Sequence, residues 1–192
     1  MPFGWEGAKV RLVPLDKERH FHNCVRWLND PEVTAWTLVG DLPLTRLAEE
    51  RFFNRAAQTT RQPAWVVWAV ETKVEPEEHV GVGGIHDINY RHGSGTIGLL
   101  IGRRQLWGRG LGGDALRTLT RYAFDVLGLR LLLADTFADN PRSLRLLRAC
   151  GYQEVGRIAQ RWWKRGAYRD AVLWALQRED WQAANQRAPA PP

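Results

Sequence analysis

The chain has few of the residues that mark specialised architectures. Two cysteines in 192 residues, Cys24 and Cys150, cannot frame a disulfide-rich fold. Both fall in segments with helical patterning and read as buried free thiols. No apolar run approaches the ~20 residues that cross a bilayer. The start, Met1-Pro2-Phe3-Gly4-Trp5-Glu6, has neither the basic opening nor the apolar stretch of a secretory signal. Together these absences point to a cytoplasmic setting. There is no internal repeat. Lysine is scarce, with four against 23 arginines.

What is present describes one globular domain. Hydrophobic residues make up 44% and charged residues 25%, enough for a sizeable core at this length. The net charge of +6 is unevenly spread. Residues 1–60 carry eight basic and eight acidic side chains, and residues 61–90 carry two and five. Residues 91–170 carry fifteen basic and six acidic, an excess of nine positive charges. A polyphosphate ligand, nucleic acid, or a solvated arginine-rich surface each accounts for that excess. Arginine suits phosphate contact.

Hydropathy patterning lays out the elements. Ala8–Leu15 alternates as a strand, and Asp16 caps a helix over Lys17–Leu28 that Asn29-Asp30-Pro31 ends. Residues 34–43 read as a loop holding Trp36. Thr45–Gln58 has helical spacing, with Leu47, Phe52 and Phe53 as its apolar side. Ala64–Val70, Val80–Ile88 and Thr96–Ile101 follow as strands joined by short turns, hence an antiparallel meander. A helix from Gly110 to Leu127 ends at Gly128, and Leu131–Asp135 reads as a buried strand. This strand–helix–strand unit is expected to cross over between parallel strands. Asn140 and Pro141 open a further helix that Gly151 closes. Tyr152–Ile158 and Ala171–Leu176 read as a final antiparallel pair, connected by the basic, aromatic segment Arg161–Gly166. The fold class is α/β of the α+β type, with a central mixed sheet. Residues 1–182 form the domain, and 183–192 a disordered Pro/Ala-rich tail.

The chemistry starts at Trp107-Gly108-Arg109-Gly110-Leu111-Gly112. These residues lie between an apolar strand and an amphipathic helix. Glycines let backbone approach a ligand. The first N–H groups of a helix lack internal partners and favour an anion. A phosphate-bearing ligand is therefore expected here. Two simple phosphate motifs do not fit. Gly112-Gly113-Asp114 lacks the Gly-Lys-Ser/Thr close of a P-loop, and several strands precede the loop, unlike a dinucleotide fingerprint.

A second constellation, Asn140-Pro141-Arg142-Ser143 running to Cys150-Gly151-Tyr152, lies one strand later. With both in view, the chain resembles the GNAT acetyltransferase superfamily. Its first motif sets an apolar strand residue, five residues, then Arg/Gln-x-x-Gly-x-Gly/Ala. Here Ile101 leads to Trp107–Gly112, with Trp107 in place of Arg or Gln. The later motif matches Asn140, Ser143 and Gly151-Tyr152. The order of elements agrees from about residue 8 to 181. Arg11-Leu12, Trp27–Val33 and Gly166–Asp170 resemble the ribosomal-protein N-terminal acetyltransferase branch, some members of which modify antibiotics or polyamines.

The resemblance implies a single GNAT-like domain, its mixed and mostly antiparallel sheet opened by a splayed parallel pair of strands. It implies acetyl-CoA as co-substrate, an amine acceptor, no metal, and a homodimer. Backbone groups of Leu99 and Ile101 would meet the pantetheine arm. Backbone from Trp107 through Gly108, Arg109, Gly110 and Leu111 to Gly112 would hold the pyrophosphate. Asn140 would bond the pantetheine arm or fix the next strand. Arg103, Arg104, Arg109 and Arg142 are candidates for screening phosphate. Direct transfer needs a base for the amine: Asp135 is the leading candidate and His86 the second. The position where the family often has an acidic Tyr is Leu147, leaving Ser143 to bond the leaving sulfur. Trp36, Trp162 and Trp163 are expected around the acceptor. A basic rim there disfavours polycations, whereas Asp30, Glu32 and Asp41 weigh the other way. The expected activity is acetyl transfer to a protein N-terminal amine or a small-molecule amine. The rivals are an antibiotic- or polyamine-modifying enzyme of the same fold, and a weakly active acetyl-CoA sensor.

Overall fold

The computed structural model describes residues 5–58, 60–74 and 77–187. Along the chain run β1 (Val10–Pro14), α1 (Lys17–Leu28), α2 (Arg46–Ala56), β2 (Val66–Thr72), β3 (His79–Asn89), β4 (Ser94–Ile101), α3 (Leu111–Asp125), β5 (Leu131–Phe137), α4 (Pro141–Ala149), β6 (Gln153–Lys164), β7 (Ala167–Gln177) and α5 (Arg178–Arg187). The strands form one sheet in the order β1-β2-β3-β4-β5-β7-β6. All neighbours are antiparallel except β4 and β5. Among the described residues, no helix is long and apolar enough to cross a membrane.

Local signals set most of these boundaries. Asp16 accepts a hydrogen bond from the Arg19 N–H and opens α1. Thr45 does the same for α2 and Asn140 for α4, where Pro141 occupies the first turn. The helix expected up to Leu127 stops at Asp125, close to the left-handed Gly128.

Strand register sorts the helices onto two faces. Gly83 and Leu99 are partners, and the Leu119 side chain of α3 lies on their face of the sheet. The neighbouring face carries α1 and α2: Trp27 lies against Gly102, and Phe21, Cys24 and Phe53 pack with Val82. The larger core lies under α3 and contains Phe124, Leu119, Leu132 and Trp174, all buried. Truncating one of these to alanine costs ~3–5 kcal/mol.

Four sequence expectations change. The segment Arg161–Gly166 is strand rather than connection: Trp162 pairs with Arg169 and Trp163 with Tyr168, and the turn is Arg165-Gly166. Residues 131–135 are not buried throughout, because β5 alternates and Leu133 and Asp135 face outward. Leu47 is exposed, since the inward side of α2 is Glu49 and Phe53. Residues 183–187, expected to be disordered, continue α5. Residues 188–192 of that tail lie outside the described residues.

Candidate active site

The site forms where two parallel strands part. β4 and β5 pair only from Ser94↔Leu131 to Thr96↔Leu133. Beyond that point β4 stays with β3 as far as Ile101↔Gly81, and β5 stays with β7 as far as Phe137↔Ala171. Each strand is held by its outer neighbour, so a gap opens between them. The Gly102 N–H donates to the Val80 carbonyl at 2.9 Å, which fixes the alternation along β4. Gly98 and Leu100 bond toward β3, and Leu99 and Ile101 turn their backbone groups into the gap. A cavity of about 860 Å³ fills this space.

The glycine loop closes one end. Gly108 and Gly110 hold φ of 80° and 83°, a region costly for other residues, and Gly110 is the N-cap of α3. Three ties hold the loop in place. The Trp107 indole Nε1 donates to the Ile101 carbonyl at 2.7 Å. Lys9 Nζ donates to the Arg109 carbonyl at 2.9 Å. Asp114, buried in the first turn of α3, accepts from the N–H groups of Ala8, Lys9 and Val10 at 3.1, 2.7 and 2.9 Å. Nothing local in the sequence singles out Asp114, and only the fold shows that it fastens the residues entering β1 to α3.

The four candidate arginines separate. Arg103 is paired with Glu78, and Arg104 with Asp30 and Glu32. Arg109 does not line the cavity. Arg142 does, and its guanidinium lies 4.8 Å from the centre of the Trp107 ring. Ser143 and Asn140 also line the cavity, but the Asn140 Oδ1 caps α4 by accepting from the Ser143 N–H at 3.2 Å. The Ile101 carbonyl, taken by Trp107, likewise has a local partner.

The opposite face of the gap is made of side chains from distant segments. His86 on β3 lies beside Gly98, with Nδ1 2.8 Å from Asp87 Oδ2. A carboxylate only accepts, so Nδ1 carries a proton, and in the neutral ring Nε2 holds the lone pair. Asp135 also lines the cavity, and Arg161 engages its Oδ2 at 2.9 Å. Trp36, Phe137 and Trp162 build an aromatic wall, with ring centres 6.1 Å apart between Trp36 and Phe137 and 4.8 Å between Phe137 and Trp162. Trp163 is not part of it. Alternation along β6 turns it outward, 60% exposed, to meet Tyr168 edge-on. Phe137 escaped the sequence reading because nothing local distinguishes it from core.

No tyrosine supplies a proton at the position the family often uses. Leu147 is there and is buried. Tyr152 bonds Thr120 Oγ1 at 2.9 Å, and burial pushes its hydroxyl pKa up. Both thiols are free and buried, and burial pushes Cys24 up to about 12.

A splayed parallel pair, a helix N-terminus behind left-handed glycines and an arginine at the rim form a site for a long, phosphate-bearing thioester. That is the class of acyl transferases that draw on coenzyme A. The acetyltransferase (GNAT) domain model matches residues 9–153, and the chain belongs to that family. It is an acetyl-CoA-dependent N-acetyltransferase. It is similar to the uncharacterized N-acetyltransferase p20 of Bacillus licheniformis, 25% identical over 162 residues, 82% of this chain and 86% of the relative. The spermidine N(1)-acetyltransferase of Vibrio cholerae is 25% identical over 121 residues, 63% of this chain and 66% of the relative. Among solved structures, spermidine N-acetyltransferase from Vibrio cholerae, in complex with CoA and spermine, superposes with a TM-score of 0.80. It is 18% identical and covers 90% of this chain and 98% of its own, a likeness of fold.

Proposed function

We propose that the chain acetylates an amine bearing a single cationic centre: the N-terminal amine of a protein, or a small monoamine. One observation carries this reading. Asp30, Glu32 and Asp41, the carboxylates beside the acceptor wall, are each engaged by the chain's own cations, Arg104 and Lys164. Arg104 is shared between Asp30 and Glu32, so Glu32 at the cavity edge keeps part of its charge, and the rest of the acceptor wall is largely aromatic. The polyamine acceptor of the Vibrio cholerae relatives is the rival. The Trp27–Val33 motif supports the ribosomal-protein branch, so peptides with ribosomal-protein N-termini belong among the acceptors tested.

The roles follow from where the groups point. The Leu99 carbonyl and the Ile101 N–H meet the pantetheine arm, and the amides opening α3 meet the pyrophosphate. Arg142, braced on Trp107, neutralises phosphate charge. His86 Nε2 takes the proton that the acceptor ammonium must lose, with Asp87 holding the ring. The amine nitrogen then bonds the acetyl carbon, the carbon–sulfur bond breaks, and the second proton that the nitrogen sheds passes to the departing sulfur. The Leu99 N–H stabilises the charge that develops on the carbonyl oxygen, and the Ser143 hydroxyl bonds the departing sulfur. Asp135, with one oxygen given to Arg161, is the second candidate for the base. The same reading includes a homodimer and a cytoplasmic setting, checked by light scattering and fractionation.

The test is free-CoA release across a panel: a peptide with a free N-terminus, the same peptide N-blocked, a monoamine, an aminoglycoside and spermidine. Turnover of the free peptide or the monoamine, lost on blocking, is the expected result. Fastest turnover of spermidine refutes the acceptor assignment. Acetyl-CoA binding without release of CoA for any amine favours the sensor.

A further inference from the structure

Lys164 lies at the end of β6 with its side chain 4% exposed. A buried ammonium is unfavourable unless its charge and its N–H groups are matched. Here they are: Nζ is 2.8 Å from Asp41 Oδ1 and donates to the Val39 carbonyl at 2.9 Å. A carboxylate and a carbonyl thus form an ammonium socket, and the chain fills it from within. Each side of the socket is joined through the chain to a residue of the acceptor wall. Lys164 follows Trp162 by two residues, on the same face of β6. Val39 and Asp41 continue the segment that supplies Trp36 to the cavity.

We propose that Lys164 is a specificity-determining residue, whose ammonium occupies the place a second ammonium of a diamine or polyamine would take beside the reacting amine. The side chain of lysine is itself an aminobutyl group. Removing it vacates a channel with the length and polarity of one aminobutyl arm and leaves the Asp41 carboxylate without its cation. An acceptor with a second ammonium gains that carboxylate, and a monoamine gains nothing. The proposal rests on the reading above that the Trp36–Trp162 wall receives the acceptor.

The experiment compares wild type, Lys164→Ala, and Lys164→Ala combined with Asp41→Asn. Free-CoA release is measured with 1,4-diaminobutane, spermidine and the monoamine that the wild type acetylates. In Lys164→Ala the ratio of kcat/KM for diamine over monoamine should rise roughly tenfold, the size expected for one partly exposed charge pair. Adding Asp41→Asn should return the ratio to that of wild type. An equal loss for all acceptors, or an unmoved ratio, overturns the proposal and leaves Lys164 a structural tie. If Lys164→Ala does not fold, Lys164→Thr decides. A β-branched residue suits the strand and still empties the channel beyond its γ atoms, so it should move the ratio the same way, and no movement overturns the proposal. A wild type that already prefers spermidine overturns the acceptor reading and this proposal together. A monoamine-preferring wild type with unmoved variant ratios overturns this proposal alone.

Discussion

The two faces of the splayed strands are built by different means. On the α3–α4 face, backbone does the work: glycines at positive φ, a helix N-terminus, a capping asparagine and the amides of β4. On the α1–α2 face the groups are side chains brought from far apart in the chain. His86 comes from β3, Asp135 and Phe137 from β5, Arg161, Trp162 and Lys164 from β6, and Trp36 from the segment after α1. A site made of backbone suits a fixed donor, because its geometry survives most side-chain changes. A site made of side chains can be re-specified by one substitution, which suits the acceptor side proposed above.

The sharpest challenge to this contrast is Asp114, a long-range side-chain tie on the backbone-built face. Replacing it with alanine strands the N–H groups of Ala8, Lys9 and Val10 at the entry to β1, and should lower stability by ~4 kcal/mol at neutral pH. A denaturant melt measures this, and a loss below ~1 kcal/mol would show that water replaces the carboxylate.

The second effect belongs to the other face. His20, Glu71 and His79 form a buried cluster between α1, β2 and β3, with His20 Nε2 3.1 Å from Glu71 Oε1 and the two imidazole rings 4.5 Å apart. Burial first, and then the charge of His20, push His79 down to about 4. The folded state therefore binds fewer protons than the unfolded chain between pH 6.5 and 4. Stability is full above pH 6.5 and falls by ~3 kcal/mol as pH drops through that window. Glu71 acts in the same direction. Burial alone would raise it, but bonds from His20 and Arg11 and the charge of Arg19 outweigh burial and lower it. A melt series against pH should show this slope, and His79→Gln should flatten it.

The third effect separates chemistry from binding. His86→Gln should lower kcat about 100-fold and leave the acetyl-CoA Kd unchanged. Asp135→Asn should cost about tenfold or less, and the reverse order would transfer the base to Asp135. The smallest effect tests the backbone itself. Gly110→Ala, forced into a left-handed conformation, should raise the acetyl-CoA Kd roughly tenfold with kcat little changed. Calorimetry and saturation kinetics distinguish the two.

Legibility followed the same division. The Gly108–Gly110 loop, the Asn140 cap and the Gly151 stop are local, so their spacing, together with the family resemblance, was enough to propose the cofactor half. The aromatic pair Trp162-Trp163 was visible, but which ring faces the cavity depends on strand alternation, and the segment had read as a connection. Asp135 stood out as an acid at a strand end. Its partner Arg161 lies 26 residues away, across a hairpin that no local signal registers. Arg103, Arg104, Arg109 and Arg142 looked equivalent until ion pairs withdrew two of them and position withdrew a third.

By itself, then, the sequence determined the order of elements, the glycine loop and the family to which they belong. Those features arise from backbone preferences within a few residues of one another. Tertiary structure decided which charges are left over for a substrate. A pair such as Lys164 with Asp41 forms only when segments far apart in the chain meet, and a cation held in the interior this way is not available to a ligand.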